Sequence, residues 1–118
     1  MPRPKRKRRI CGLPKNSGFT PGKAENLSAD AVNMTLDEYE SIRLIDYAGL
    51  TQEECAEFMG VARTTAQLIY NSARKKLAVM LVEGKELSLQ GGNYEISGDE
   101  NPGYGRCRRG RMGSVNND

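Results

Sequence analysis

Between Thr35 and Val82 the apolar positions fall at helical spacing, and two breaks divide them into three runs. Leu36, Tyr39, Ile42 and Ile45 recur every third residue. That spacing predicts a helix with an inward face reaching about Tyr47, ended by Gly49. A second run spans Gln52 to about Met59 and stops at Gly60. A third starts near Arg63 and continues to about Val82, with Ala66, Ile69, Ala73, Leu77 and Met80 as its inward stripe. Thr35-Leu-Asp-Glu38 and Thr51-Gln-Glu-Glu54 are capping boxes at the starts of the first two helices. Cys55 falls on the inward side of the second helix and reads as a small core side chain.

The second and third runs form a unit of their own, TQEECAEFMGVARTTAQLIYNSARKKL, from Thr51 to Leu77. Ala56 is small enough for two helices to approach closely. Gly60 can take the positive φ that a tight turn demands. Val61, Ala66 and Ile69 follow where the second of the two helices must face inward. This is the pattern of a helix-turn-helix, whose second helix lies in the DNA major groove. The fold expected is mainly α: a three-helix domain over residues 31–97.

The flanks look different. Residues 1–30 read as an irregular basic arm and loop, extended by prolines and self-repulsion, with Ile10, Leu13 and Phe19 as anchors. A brief extended stretch is expected from Ala31 to Met34. After the third helix, Leu87 and Leu89 alternate before Gly91-Gly92, which admits either a short hairpin with Tyr94–Ile96 or a loop folding back. Residues 98–118 carry few apolar side chains and read as a disordered basic tail.

Composition narrows the function. The chain has 118 residues, 37% hydrophobic, with no His and no Trp. It suits one small domain with tails, and no apolar run approaches the length of a membrane span. The basic start lacks the apolar stretch of a secretory signal. Three widely spaced cysteines, Cys11, Cys55 and Cys107, make a poor disulfide framework and suit a reducing cytoplasm. Without His, paired carboxylates in an evident pocket or a phosphate-binding glycine loop, an enzyme is not expected.

The net charge of +3 conceals segregation along the chain. Arg3, Lys5, Arg6, Lys7, Arg8 and Arg9 form an acid-free basic arm. From Ala24 to Gly60 acids predominate, and from Val61 to Lys85 bases do. Attraction to phosphate accounts for that distribution better than solubility does. With Ala66, Ile69 and Ala73 turned inward, the other side of the third helix would show Arg63, Thr64, Gln67, Leu68 and Asn71. Arg63 can donate twice to guanine, and Gln67 or Asn71 can bond adenine. Thr64 or Thr65 can reach a phosphate or base, and Leu68 can pack on a thymine methyl. Arg74, Lys75 and Lys76 lie further along and would more naturally meet phosphates. Ala62 replaces the usual Ser or Thr cap, and a bound phosphate could satisfy the N–H groups left free there.

The same residues carry a resemblance. GVARTTAQLIYNSARKKL resembles the end of region 4 of bacterial primary sigma factors, the part that reads the upstream promoter element. MPRPKRKRRIC, GLPKN, LDEYESIRLIDYAGLTQEECAEFMGV, NSARKKLA and EGKELSLQGGNY resemble a family of small uncharacterised prokaryotic proteins predicted to bind DNA. Together these pieces cover most of residues 1–94. The resemblance implies a sigma-like helix-turn-helix with a base-reading face at Arg63, Thr64, Gln67 and Leu68. Relatives often carry a second arm cysteine and a CxxC pair near the C-terminus, suggesting a four-cysteine zinc site. Here Lys7 and Gly110 stand at two of those positions, so tetrahedral zinc lacks ligands, no cofactor or metal is expected, and Cys11 and Cys107 read as relics or free thiols.

The expected function is a DNA-binding transcriptional regulator whose partner is double-stranded DNA. The alternative is a sigma-like adaptor that docks RNA polymerase or another protein through acidic helices, with only nonspecific nucleic-acid affinity. RNA binding by the arginine-rich arm ranks third. Many helix-turn-helix proteins read two half-sites as pairs, which favours a homodimer.

Overall fold

A computed structural model describes residues 7–22 and 31–96. Among the described residues, three helices are braced by five short strands. Thr35 N–H donates to Glu38 Oε1 at 2.9 Å, and helix α1 (Leu36–Ile42) starts there. It runs on without a break into a π-helical turn over Arg43–Tyr47, where Ala48 N–H reaches back five residues to Arg43 O at 2.8 Å. The second capping box is complete: Thr51 N–H donates to Glu54 Oε1, and Glu54 N–H to Thr51 Oγ1. Helix α2 (Gln52–Met59) follows and ends at Gly60, whose φ of 74° is left-handed. Helix α3 (Arg63–Glu83) closes at Gly84 in the same conformation.

Two features of α1 depart from the sequence reading. The fully buried stripe passes through Glu40, Ser41, Leu44 and Ala48, while Tyr39, Ile42 and Ile45 are only partly buried. The widened turn after Ile42 is one reason, because it shifts later residues around the axis. The other is pairing. Glu40 is 0% exposed but accepts from Cys11 N–H at 3.1 Å and from Arg43 Nε and Nη2 at 2.9 and 3.0 Å. A carboxylate so fully partnered can be buried where an unpaired one could not.

Residues 7–22, expected to be irregular, hold two strands. Strand β1 (Arg8–Ile10) pairs in parallel with β5 (Tyr94–Ile96), setting Arg8 opposite Tyr94 and Ile10 opposite Ile96. Strand β2 (Gly18–Phe19) lies antiparallel to β4 (Leu87–Leu89), and β3 (Val32–Met34) lies parallel on the other side of β4. The hairpin considered for Leu87–Ile96 does not form, although both strands do. Gly91 O accepts from Leu36 N–H at 2.9 Å, and Gly92 packs so closely on Thr35 and Asp37 that a Cβ would fall 2.6 Å from Asp37 Oδ1. Docked on the start of α1, the turn sends β5 away from β4 and onto β1.

Two apolar clusters result. In one, Ile10, Met34, Leu36, Leu87 and Leu89 pack on Ala73 of α3. In the other, Leu44, Leu50, Cys55, Phe58 and Met59 join the π turn to α2. Cys55 is 0% exposed, and burial, with the Glu40 charge adding to it, pushes its thiol pKa up to about 12. Cys11, expected as a free thiol, is instead disulfide-bonded. Cys107, the tail 98–118 and arm residues Arg3, Lys5 and Arg6 lie outside the described residues. Among the described residues no helix is long and apolar enough to cross a membrane.

Candidate nucleic-acid interface

Helix α3 buries Ala66, Ile69, Tyr70 and Ala73 against the body of the protein. The side chains about half a turn away are therefore outward. Arg63, Thr64, Gln67, Leu68, Asn71 and Lys75 are all exposed, and Thr65 is half-buried. From Arg63 to Lys75 this face is about 18 Å long at 1.5 Å per residue. It contains no acid. Leu68 is 69% exposed, a large apolar side chain among polar neighbours. At the start of the helix Ala62 is extended (φ −69°, ψ 154°) and no side chain caps it. The first backbone N–H groups of α3 thus lack the usual side-chain acceptor beside Arg63, a setting that suits an anion.

The helix is clamped from both sides. Tyr70 Oη donates to Asp46 Oδ1 of the π turn at 2.7 Å, and burial together with that bond raises the phenol pKa. Arg74 lies over the Tyr70 ring at 5.4 Å and is 3.9 Å from Asp46 by Nε–Oδ2, yet its side chain stays well exposed. On the other flank Glu38 takes Ser72 Oγ–H and Lys76 Nζ, each at 2.7 Å. Burial alone would push the Glu38 pKa up. The bonds from Lys76, the Thr35 backbone and Ser72 outweigh it and leave the carboxyl below its ordinary value. Lys76, grouped with phosphate contacts by sequence, is thus turned toward α1, because a buried carboxylate with no other cation beside it among the described residues lies within its reach.

The described part of the basic arm is also partly built in. Arg9 donates from Nε to Phe58 O at 2.8 Å and from Nη2 to Glu57 O at 3.3 Å, capping the end of α2 beside Gly60. Arg8 pairs with Asp37 at 3.4 Å, with both side chains largely buried. Lys7 is exposed and, with Arg9, Gly60 and Glu95, borders a hollow of ≈ 440 Å³ next to the turn. Many acids of the sequence are consumed in these contacts: Asp37 by Arg8, Glu38 by Lys76, Glu40 by Arg43 and Asp46 by Tyr70. Glu53, Glu54 and Glu57 of α2 remain exposed. Periodicity offers no signal for these roles. The sequence shows only that Asp37, Glu38 and Glu40 crowd the first turns of α1.

Residues 1–97 match the model of the family described as "Protein of unknown function DUF134". The chain belongs to that family. A UPF0251 protein of Desulfitobacterium hafniense (strain Y51) is 52% identical over 116 residues, which cover 96% of this chain and 93% of the relative. One of Caldicellulosiruptor saccharolyticus is 47% identical over 107 residues, 91% of this chain and 69% of the relative. One of Thermoanaerobacter pseudethanolicus is 43% identical over 115 residues, 96% of this chain and 98% of the relative. No solved structure matches this DUF134 chain.

Proposed function

We propose that this DUF134 protein binds double-stranded DNA as a transcriptional regulator, with α2, the Gly60 turn and α3 acting as a sigma-like helix-turn-helix. The observation that carries the proposal is the outward face of α3, where Arg63, Thr64, Gln67, Leu68, Asn71 and Lys75 lie together without an acid. Arg63 and Gln67 suit base edges, Leu68 a thymine methyl, and Lys75 a phosphate. The uncapped helix start would hold the backbone phosphate next to the reading residues. The fixed parts, Arg9 on the turn and the Tyr70–Asp46 bond, give the helix one orientation on its scaffold.

A sigma-like adaptor for RNA polymerase rests on a different observation, the exposed Glu53, Glu54 and Glu57 on α2. Titrating affinity for duplex DNA against salt separates the two. As a DNA reader, the protein shows a steep negative slope, close to 0.9 per phosphate neutralised. Lys75→Ala reduces that slope by about 0.9, and removal of residues 1–6 reduces it further. An unchanged slope in Lys75→Ala would take the α3 face away from DNA and favour the adaptor.

A further inference from the structure

We infer that the groove between the π turn and the loop before β2 is a binding site for a small aromatic carboxylate. This open hollow of ≈ 460 Å³ has Phe19, Tyr39, Ile42 and Tyr47 as apolar lining, with Lys15 and Arg43 as its cations. Its size falls in the range of small-molecule sites, which are mostly apolar with a few placed polar groups. Tyr39, Arg43 and Tyr47 follow one another at four-residue intervals along α1 and the π turn, an element that often marks functional positions. Phe19 and Tyr47 are about half exposed, 50% and 47%, so their rings have open faces on which an aromatic ligand can stack.

Charge selects the ligand class. No acid is found among the described lining residues. Glu40 holds Arg43 through Nε and Nη2, which offsets its charge and fixes the guanidinium plane. Nη1 makes no hydrogen bond among the described residues and remains a preset donor. Lys15 is exposed, has no acid partner among the described residues and adds a positive charge. One net charge and one donor beside exposed aromatic rings match a monoanion carried on an aromatic ring. The π turn that lines the groove with Arg43 and Tyr47 also carries Asp46, which holds Tyr70 of α3. A ligand seated here therefore bears on the segment that fixes α3. This regulatory consequence rests on the DNA-binding reading, whereas occupancy of the groove does not.

The test is an NMR titration of the full chain with 3-phenylpropionate and with its neutral amide, 3-phenylpropionamide. Saturable binding of the carboxylate is expected, with shifts confined to Lys15, Phe19 and the α1–π segment. The amide, Lys15→Ala and Tyr47→Ala should each weaken it by roughly tenfold or more, the loss of one good contact. Lys75→Ala, on the far face of α3, leaves it unchanged. No saturation by about 10 mM overturns the site. So does equal binding of the amide, or indifference to both groove variants. Concentration-dependent dimerisation abolished by Tyr47→Ala also overturns it, by giving the groove to a second copy of the chain. Duplex affinity measured with and without saturating carboxylate is read separately. A change supports the regulatory link, and no change removes it. Loss of all duplex binding counts against the DNA reading while leaving the titration result standing.

Discussion

Replacing Gly60 by alanine adds one methyl group to the turn between α2 and α3, and its cost can be worked out against a built-in control. Gly60 has φ 74° and ψ 35°; Gly84, at the end of α3, has φ 67° and ψ 40°. A left-handed conformation costs a side-chain-bearing residue roughly 1–2 kcal/mol. The smaller entropy loss of alanine on folding offsets about 0.4–1 kcal/mol of that. At Gly84 nothing lies within 4 Å of the added Cβ, so Gly84→Ala should cost only the remainder, about 1 kcal/mol. At Gly60 the new Cβ would sit 3.3 Å from Arg9 Nη2 and 3.4 Å from Cζ and Nη1. The guanidinium must shift by a few tenths of an ångström while Arg9 Nε holds Phe58 O at 2.8 Å. Weakening that bond adds about 1 kcal/mol. Gly60→Ala should therefore cost about twice as much as Gly84→Ala. In thermal unfolding about 1 kcal/mol is a fall of roughly 4–8 °C for a domain this size, so the two variants should be separable. In an Arg9→Ala background the excess should vanish and the two glycine changes become equal. Equal costs in the native background would refute the claim that Arg9 clamps the turn.

The remaining predictions concern the supports of α3 and the core. Because the Glu38 pKa is lower in the folded protein, its contribution is full above the ordinary glutamate pKa of about 4.3 and is lost as pH falls through the folded value. Chemical denaturation between about pH 3 and 5 should show this acid slope, and Glu38→Gln should flatten it; equal slopes would mean that Glu38 is no hub. Lys76→Ala should cost about 1–2 kcal/mol by stranding Glu38, with little change in the salt slope of DNA binding. Lys75→Ala should do the reverse, changing stability by less than about 0.5 kcal/mol. Cys55, buried and with its thiol raised to about 12, should react with alkylating reagents at neutral pH only as fast as the protein opens. Peptide mapping after brief labelling, with and without denaturant, reads this out, and rapid modification in the native protein would contradict it.

The helices were legible because their signals are local. Thr51 and Glu54 form the expected reciprocal cap. Ala66, Ile69 and Ala73 are buried where a 3.6-residue period puts them, and Cys55 sits in the core. What depended on distant partners was not legible. Nothing in RRI says strand until Tyr94–Ile96 is beside it, 86 residues along from Arg8 to Tyr94 in register. The departure of β5 from β4 follows from Gly92 docking on Thr35 and Asp37, a contact between segments far apart in sequence. Tyr39 and Ile42 carried the apolar period of α1, yet Glu40 and Ser41 are the residues without exposure. Burial of Glu40 is intelligible only with Arg43 and the Cys11 backbone in place. Within the candidate interface, the exposed run from Arg63 to Lys75 could be read from helical phase, whereas Lys76, Arg8 and Arg9 could be assigned only once their acceptors were located.

The most direct measurement is a selection of binding sites from random-sequence duplexes by the full chain, repeated with Arg63→Ala. The account predicts one enriched motif for the native protein and, for the variant, relaxed preference at a guanine position, a loss of about 1–3 kcal/mol of discrimination. Recovery of no motif, or of the same motif with undiminished preference in Arg63→Ala, would contradict sequence reading by α3.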